Sequence, residues 1–186
     1  MITKNLKNLA NSMLQATPNS NVRGLLPVRA VDGNTFHVAS YFNSYPRAVT
    51  ETFTLSATAA GISVGSGNTP ATDEDYQLES TITSGLTAQV NRILDFDGSG
   101  YPYIRYDIML TNNTGNDIVV NEIGYKQNIQ TATSSGGASV AARLCLIDRT
   151  VLNSPLVIEA GTYEVIRYTL KTIVPEEDIP VIEEPA

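Results

Sequence analysis

Apolar and polar residues alternate along most of the chain after residue 34, with the period of two that half-buried β-strands show. The alternation is clearest in Thr162–Ile173, where one face is mostly apolar and should point to the core: Glu164, Ile166, Tyr168, Leu170 and Thr172. β-Branched and aromatic residues dominate the alternating segments, as is usual in strands. The predicted strands are Thr35–Tyr41, Thr50–Ala57, Gly61–Val64, residues 79–95, Tyr101–Leu110, Asp117–Gly124, Ala141–Ile147, Leu156–Ile158 and Thr162–Ile173.

Polar turns rich in Gly, Asn, Ser and Pro separate these strands, about eight in number, at intervals of roughly 8–15 residues. This spacing predicts an all-β fold, an antiparallel β-sandwich of the jelly-roll or immunoglobulin-like kind. A closed β-barrel is the alternative. We place the sandwich domain at residues 35–174, between an N-terminal helix and arm at residues 1–34 and a tail at residues 175–186.

The N-terminal region contains one segment with helical periodicity, residues 2–16. Ile2, Leu6, Leu9 and Met13 recur at spacings of four, three and four, which places them on one face of a helix. A helix this short is marginal by itself, so this face must dock either on the chain's own body or on a neighbouring subunit. We therefore predict that these four residues are interaction residues, and that residues 17–34 form an extended arm.

The C-terminal tail, Pro175–Ala186, combines three prolines with five acidic residues and contains no Lys or Arg. This composition predicts an exposed, extended segment of the polyproline II type. Its apolar residues Ile179, Val181 and Ile182 are the remaining predicted interaction residues. We expect both termini to reach across to neighbouring subunits.

Composition and charge disfavour several classes of partner. Hydrophobic residues make up 42% of the chain, which is enough for a core, and only 17% of residues are charged, which suits buried contact surfaces. The formal net charge is −7, but without the five tail acids 14 acidic residues face 12 basic ones. No basic patch stands out, so nucleic-acid binding is disfavoured. No apolar run approaches the roughly 18 residues of a membrane span, and the first residues do not resemble a signal peptide, so we expect no membrane partner.

The segment Asp95–Gly100 has carboxylates at its first and third positions and is similar to the start of a calcium loop. The helix–loop–helix version of such a loop also needs an acidic residue at its twelfth position. That position falls on Tyr106, or on Ile104 if Asp95 is counted as the third ligand, and neither side chain coordinates calcium. A hairpin turn between two strands is the favoured interpretation, so we predict no metal site.

No other residue pattern predicts a catalytic or cofactor site. Cys145 lies in an apolar run and is predicted to be a small buried hydrophobe, and the lone histidine, His37, alternates with its strand neighbours. The acidic cluster Asp73–Asp75 is expected in a solvated loop. The glycines of Gly61–Gly67 are expected in a turn, because no Lys-Ser/Thr pair follows them to hold a phosphate. A hydrolase, the enzymatic alternative, would require carboxylates that converge on His37 or on Asp95–Gly100.

Tyrosines are the other residues that could carry a binding function. They cluster at Tyr41, Tyr45, Tyr101, Tyr103 and Tyr106. Aromatic platforms bind sugars, yet Trp is absent here and tyrosines are common in sandwich cores and interfaces. A carbohydrate-binding module is therefore the alternative to a purely structural role.

Two segments together resemble small β-sandwich proteins encoded among the structural genes of tailed phages. In the first, a strand ends in the polar turn Asn112-Asn113-Thr114-Gly115 and leads to a strand that contains Glu122-Ile123-Gly124. In the second, a strand that contains Leu146-Ile147-Asp148-Arg149 and a turn at Ala160-Gly161 precede the final Tyr168-Thr169-Leu170. The loop at residues 64–78 is also similar to a loop in such proteins, so the resemblance covers roughly residues 60–173.

The resemblance implies a non-enzymatic structural protein of the virion, placed in the capsid as a decoration or head–tail connection protein, or in the tail. Its partners would be other virion proteins and copies of itself in a homo-oligomer, assembled in the host cytoplasm. The carbohydrate alternative becomes a receptor-binding module of a phage tail or fibre. Within the matching segments, we expect Glu122 to pair with Arg143 or Arg149 at the edge of the sandwich, and Gly124 to allow a bulge or a close backbone approach.

Overall fold

The computed structural model describes residues 1–8, 27–38, 52–98, 100, 102–132 and 140–171. Within these residues the chain is mostly antiparallel β-structure in more than one sheet, as the alternation predicts. Residues 4–8 are helical, and eight strands follow. The strands are β1 (Pro27–Arg29), β2 (Thr35–Val38), β3 (Gly61–Gly65), β4 (Leu86–Phe96), β5 (Pro102–Asn112), β6 (Ile118–Ala132), β7 (Val140–Ile158) and β8 (Tyr163–Lys171).

Strands β1, β2, β3, β6 and β7 form one sheet, which we call the large sheet. Its central strand is β6, which pairs with β7 on one side and with β3 and β2 on the other. The β6–β7 ladder runs from Ile118↔Ile158 to Ala132↔Val140. It shifts register between Val120 and Glu122, so the longest strands of the chain are bent rather than straight.

Strands β4, β5 and β8 form a second antiparallel sheet, the small sheet, with β5 at its centre. Its register is unbroken, from Leu86↔Asn112 to Phe96↔Pro102 on one side of β5 and up to Lys171↔Tyr103 on the other. One face of this sheet carries its buried residues: Leu86, Tyr106, Ile108, Leu110, Asn112, Ile166 and Tyr168. The predicted apolar face of the last strand is therefore confirmed at Ile166 and Tyr168, whereas Glu164 on the same face is exposed.

Several stretches differ from the predicted strands. β1 lies in the predicted arm, β4 begins at Leu86 rather than at residue 79, and β6 continues beyond Gly124 to Ala132. The segments Ala141–Ile147 and Leu156–Ile158 belong to one strand, β7, because the residues between them continue along β6 to Val151↔Glu122. Pro155 falls within the register shift, where β7 lacks ladder partners and tolerates a residue without an N–H. In Thr50–Ala57, the described residues form only an isolated bridge, Phe53↔Ile62, beside β3.

Residues of both sheets contribute to one hydrophobic cluster. Ile62, Val64, Val120 and Ile158 come from the large sheet, and the buried residues of the small sheet complete the cluster. Three stacked rings also link the sheets. Tyr106 lies 6.2 Å from Tyr125 and 6.3 Å from Tyr168 between ring centroids, and these residues belong to β5, β6 and β8.

The first eight residues dock on the chain's own body. The backbone N–H and the hydroxyl of Thr3 donate to the carbonyl oxygen of Ile147 on β7, each at 3.0 Å. Asn5 accepts from the N–H of Arg29 at 2.7 Å and donates to the carbonyls of Arg29 and Leu146. Of the two docking surfaces that the sequence leaves open, this segment uses the intramolecular one. No helix in the described part of the chain is both long and apolar enough to cross a membrane.

Candidate functional site

A buried ion pair lies at the centre of the large sheet. Arg149 on β7 donates from Nε to Oε2 of Glu122 on β6, at 2.7 Å. The side chains are 3% and 0% exposed, respectively. Of the two expected partners of Glu122, Arg149 is the observed one, whereas the guanidinium of Arg143 lies over the ring of Phe36 at 4.3 Å.

Two further carboxylates bring a loop onto Arg149. Residues 66–80 follow β3 and lead towards β4, and we call them the cluster loop. Its Asp75 lies 2.8 Å from Nη1 of Arg149, and its Glu79 lies 3.5 Å from Nη2. The carbonyl of Thr69 accepts from Nη2 at 3.1 Å. The loop is thus fixed to the sheet by charge-assisted hydrogen bonds rather than by a hydrophobic contact alone.

The electrostatics of the cluster loop follow from these contacts. Partial burial would raise the pKa of Asp75, but hydrogen bonds from Arg149 and Thr72 outweigh it and hold that pKa below its ordinary value. Hydrogen bonds from the hydroxyl and the N–H of Thr69 lower the pKa of Glu79. Both carboxyl groups therefore favour the ionised form that binds Arg149.

Glycines allow the loop to approach Glu122 closely. The N–H groups of Gly67 and Ser80 donate to Oε1 of Glu122, at 3.3 and 2.8 Å, and the N–H of Glu79 donates to Oε2 at 3.1 Å. A Cβ atom at Gly67 would lie only 2.7 Å from Oε1 of Glu122, and one at Gly65 would lie 2.5 Å from the carbonyl oxygen of Ser80. Gly61 and Gly65 are the first and last residues of β3, so the turn expected for Gly61–Gly67 is wrong for that stretch. Only Gly67 lies in the cluster loop that packs on the carboxylate of Glu122.

Every charged atom of the central pair has a protein partner. Nε, Nη1 and Nη2 of Arg149 all donate to residues of this chain, and both oxygens of Glu122 accept from it. The contacts of Arg149 and Glu122 are therefore with groups of the chain itself. The cluster can fix a loop and specify strand register, but it cannot act as a general acid or base without first breaking these contacts.

A second buried polar group lies one residue before Arg149. Asp148 accepts from the hydroxyl of Tyr168 at 2.6 Å and from the hydroxyl of Thr150 at 3.1 Å. Burial, with the nearby carboxylate of Asp148, raises the pKa of Tyr168 well above its ordinary value. Tyr168 therefore stays a hydrogen-bond donor, and its bond joins β8 of the small sheet to β7 of the large one.

The candidate calcium segment is a hairpin, as predicted. It connects β4 to β5, whose ends meet at Phe96↔Pro102, and the N–H of Gly100 donates to the carbonyl of Asp97 at 2.9 Å. Asp95 accepts from its neighbour, the N–H of Phe96, at 2.8 Å. Among the described residues, no group of three or more His, Cys, Asp or Glu side chains is placed to hold a metal ion.

The residues that the enzymatic alternative would require lie apart. His37 is exposed on β2, opposite Pro27 and Ala132, and none of its cross-strand neighbours is a carboxylate. Cys145 is buried, and burial raises the pKa of its thiol to about 12, in line with the predicted small hydrophobe. In the acidic cluster Asp73–Asp75, the side chains of Asp73 and Glu74 are 46% and 65% exposed, as expected of a solvated loop. Asp75 differs, because it is 20% exposed and binds Arg149.

The tyrosine cluster does not form a platform in the described residues. Tyr106 is fully buried in the core and Tyr103 is partly buried on β5. Tyr41, Tyr45 and Tyr101 lie outside the described residues.

Only two of the predicted interaction residues, Ile2 and Leu6, are among the described residues. Ile2 forms a bridge with Asp148, and Leu6 packs against the hydrophobic core. The others lie outside the described residues, and their contact role stays a prediction: Leu9, Met13, Ile179, Val181 and Ile182.

The structure reveals exposed apolar residues that the sequence did not single out. Leu94 and Phe96, at the end of β4, are 62% and 68% exposed, and we call them the β4 patch. Tyr163 and Val165, at the start of β8, are 61% and 57% exposed. Val119 and Val157 are cross-strand partners in the large sheet and are also exposed.

The two pairs of the small sheet lie on opposite faces. The β4 patch shares its face with buried Leu86 and partly buried Val90, whereas Val165 lies on the other face, opposite Met109. The alternation of apolar and polar residues can assign these side chains to one or the other face of the small sheet. It cannot show that the apolar side chains at the end of β4 are left exposed.

Comparison with known proteins identifies no relative. No protein-family model matches the chain, and no curated protein and no solved structure is significantly similar to it.

Proposed function

We propose that this chain is a non-enzymatic structural protein of a tailed-phage virion, in the capsid as a decoration or head–tail connection protein or in the tail. It works by assembling with copies of itself and with other virion proteins, and it is assembled in the host cytoplasm. The resemblance of roughly residues 60–173 to such proteins supports this role. The motifs behind that resemblance include Glu122 and Arg149, which form the centre of the buried ion cluster.

We also propose that the two sheets pack face to face as a β-sandwich. The shared hydrophobic cluster supports this arrangement, as does the hydrogen bond between Tyr168 of the small sheet and Asp148 of the large sheet. In a sandwich the outer faces are free to contact neighbours, while the inner faces supply the stability.

The observation that carries the proposal is the exposure of apolar side chains on both faces of the small sheet. The β4 patch lies on one face and Tyr163 with Val165 on the other. Scattered apolar residues are normal on any surface, but neighbouring pairs with more than half of each side chain exposed are typical of contact sites. The low content of charged residues supports the same conclusion.

The buried polar groups also favour a structural role. Arg149, Glu122 and Asp148 are nearly inaccessible and are fully engaged with other parts of the chain. Such networks fix loops and register without performing chemistry. The receptor-binding alternative receives no comparable support, because Tyr106 is buried and unavailable to a sugar.

Mass spectrometry of particles produced by the genome that encodes this sequence tests the proposal. We expect the chain in density-purified particles at a copy number that is constant between preparations. Immunogold labelling of those particles would then distinguish the capsid from the tail. Absence of the chain from purified particles, when it is present in the lysate, would overturn the proposal.

A further inference from the structure

We infer that the β4 patch of one copy receives the C-terminal tail, residues 172–186, of another copy, with Ile179, Val181 and Ile182 as its apolar contacts. This inference rests on the proposed assembly function and names the surface and the segment that meet. Four observations on the small sheet and on the sequence that follows it support the inference.

The first observation is that the β4 patch lies beyond the core. Leu86, at the start of β4, is buried, and Ala88 and Val90 on the same face pack against the core. The register of β4 with β5 is unbroken, so Leu94 and Phe96 continue that face, yet both are more than 60% exposed. This end of the sheet presents a core-type face with no described residue covering it.

The second observation is where β8 ends. Leu170 is level with Ile104, and Ile104 is level with Leu94, so the end of β8 lies beside the patch across two strand spacings of about 4.8 Å each. The fifteen residues 172–186 follow directly. At roughly 3.3 Å per residue they span up to about 50 Å, which is enough to reach a neighbouring molecule.

The third observation favours a neighbour over the chain's own patch. To cover its own patch the tail would have to reverse direction soon after Lys171, but residues 172–186 contain no Gly and no Asn. Val174, Ile179 and Glu184 each precede a proline, which restricts them to extended conformations. Repulsion among Glu176, Glu177 and Asp178 extends the segment further. We therefore expect the tail to lead away from its own sheet.

The fourth observation is that the apolar residues of the tail have the same spacing as those of the patch, and that β4 is an edge strand among the described residues. Ile179 and Val181 are two residues apart, as are Leu94 and Phe96, so in extended conformation each pair presents its side chains on one side. Within the described residues β4 is an edge strand of the small sheet. A segment added along that edge would cover the patch with its apolar residues.

The contact joins two different surfaces, so it is heterologous. The tail of one copy occupies the patch of the next, which leaves one free patch and one free tail until a ring closes or a partner caps the series. Two copies with complementary defects can then form one contact and only one.

A mixing experiment tests this inference. One variant carries Leu94→Asp and Phe96→Asp, which disables the patch, and the other carries Ile179→Asp and Val181→Asp, which disables the tail. The exposure of Leu94 and Phe96 means that circular dichroism and the thermal midpoint should match the parent chain. By sedimentation velocity we expect each variant alone to be monomeric, and the equimolar mixture to form a 1:1 pair.

The control is Val157→Asp, which adds one such charge at an exposed apolar residue of the large sheet. It should assemble like the parent. As a second measurement, a synthetic peptide of residues 172–186 should bind the full-length tail variant, whose own patch is free. The patch variant should weaken that binding at least about tenfold.

Cross-linking separates exchange between copies from self-docking. In a Leu94→Cys/Val181→Cys variant, oxidation should yield species of twice the chain mass or more, since Cys145 is buried and cannot substitute for either thiol. Cross-links confined to single chains would overturn the inference. A mixture that stays monomeric, or a patch variant that assembles like the parent, would overturn it as well.

These outcomes are distinct from those that bear on the proposed function. A parent chain that is monomeric in solution but present in purified particles overturns the tail contact and leaves the virion role standing. Absence from particles overturns the virion role, whatever the mixture does.

Discussion

The Nε atom of Arg149 on β7 lies 2.7 Å from Oε2 of Glu122 on β6, and both side chains are almost completely buried. A buried pair of this kind contributes little net stability over well-packed apolar residues, because both charges have lost their hydration. The pair matters because it holds β6, β7 and the cluster loop together at one point. Asp75 and the carbonyl of Thr69, both in the cluster loop, bind the same guanidinium.

Removal of the guanidinium should therefore be costly. Arg149→Met leaves the carboxylate of Glu122 buried without a countercharge and releases Asp75 from the sheet, so the free energy of unfolding should fall by about 3–5 kcal/mol. Urea denaturation measures the change. The control is Arg167→Met, which removes an exposed partner of Asp107 and should cost less than about 1 kcal/mol. A loss for Arg149→Met as small as that of the control would show that the cluster is dispensable.

At Gly124, the cluster loop packs so close to the sheet that little room is left for a side chain. A Cβ atom there would lie 2.7 Å from Cδ2 of Leu78 and 3.2 Å from the carbonyl oxygen of Asp148. Gly124→Ala should lower the free energy of unfolding by roughly 1–3 kcal/mol through overpacking. Gly115→Ala, where no atom lies within 4 Å of the added Cβ, should be nearly neutral. Equal thermal midpoints for the two variants would contradict the close approach.

Local patterns in the sequence predict much of this fold. The alternation identifies the faces of β8, and the turn residues identify the hairpin between β4 and β5. The pairing of Glu122 was narrowed to two arginines, because a carboxylate among apolar neighbours on a strand needs a buried cation. The close approach at Gly124 was expected for a related reason, since a glycine in a strand is usually there to let other atoms come near.

Features that depend on distant residues could not be predicted in the same way. Asp75 and Arg149 are 74 positions apart, and no local pattern shows that a loop folds over the sheet to bring them together. The strand predicted at residues 79–95 ends before Phe96, and no local pattern shows that Leu94 and Phe96 are left exposed on the core side of β4. The predicted strands Ala141–Ile147 and Leu156–Ile158 are one strand, because residues between them pair with β6 and a register shift accommodates Pro155.

The docking of the first residues on the body leads to a third prediction. Asn5 is 4% exposed and links β1 to β7 through three hydrogen bonds, two of them with the backbone of Arg29. Asn5→Ala removes the partner that it supplies to the N–H and the carbonyl of Arg29, while Leu146 keeps the hydroxyl of Thr3, so the free energy of unfolding should fall by about 1–3 kcal/mol. The exposed Asn113 offers a control, since Asn113→Ala should change it by less than about 0.5 kcal/mol. If Asn5→Ala were neutral by urea denaturation, the first residues would not be part of the stable body.

Lys126 provides a prediction at alkaline pH. Burial lowers the pKa of its ammonium group from 10.5 to about 8, although the carbonyls of Ser56 and Ala57 accept from it at 2.7 and 3.2 Å. Between pH 8 and about 9 the unfolded chain holds a proton on Lys126 that the folded chain has lost, so the free energy of unfolding should rise with pH, by at most about 1.4 kcal/mol per pH unit. Above the ordinary thiol pKa of 9.0, buried Cys145 acts in the opposite direction, because it keeps its proton in the folded chain. Lys126→Met should abolish this rise, whereas Lys7→Met, which changes an exposed lysine, should retain it. Urea denaturation of the three proteins from pH 7 to 9.5 makes the comparison, and identical slopes would show that Lys126 keeps its charge in the folded chain.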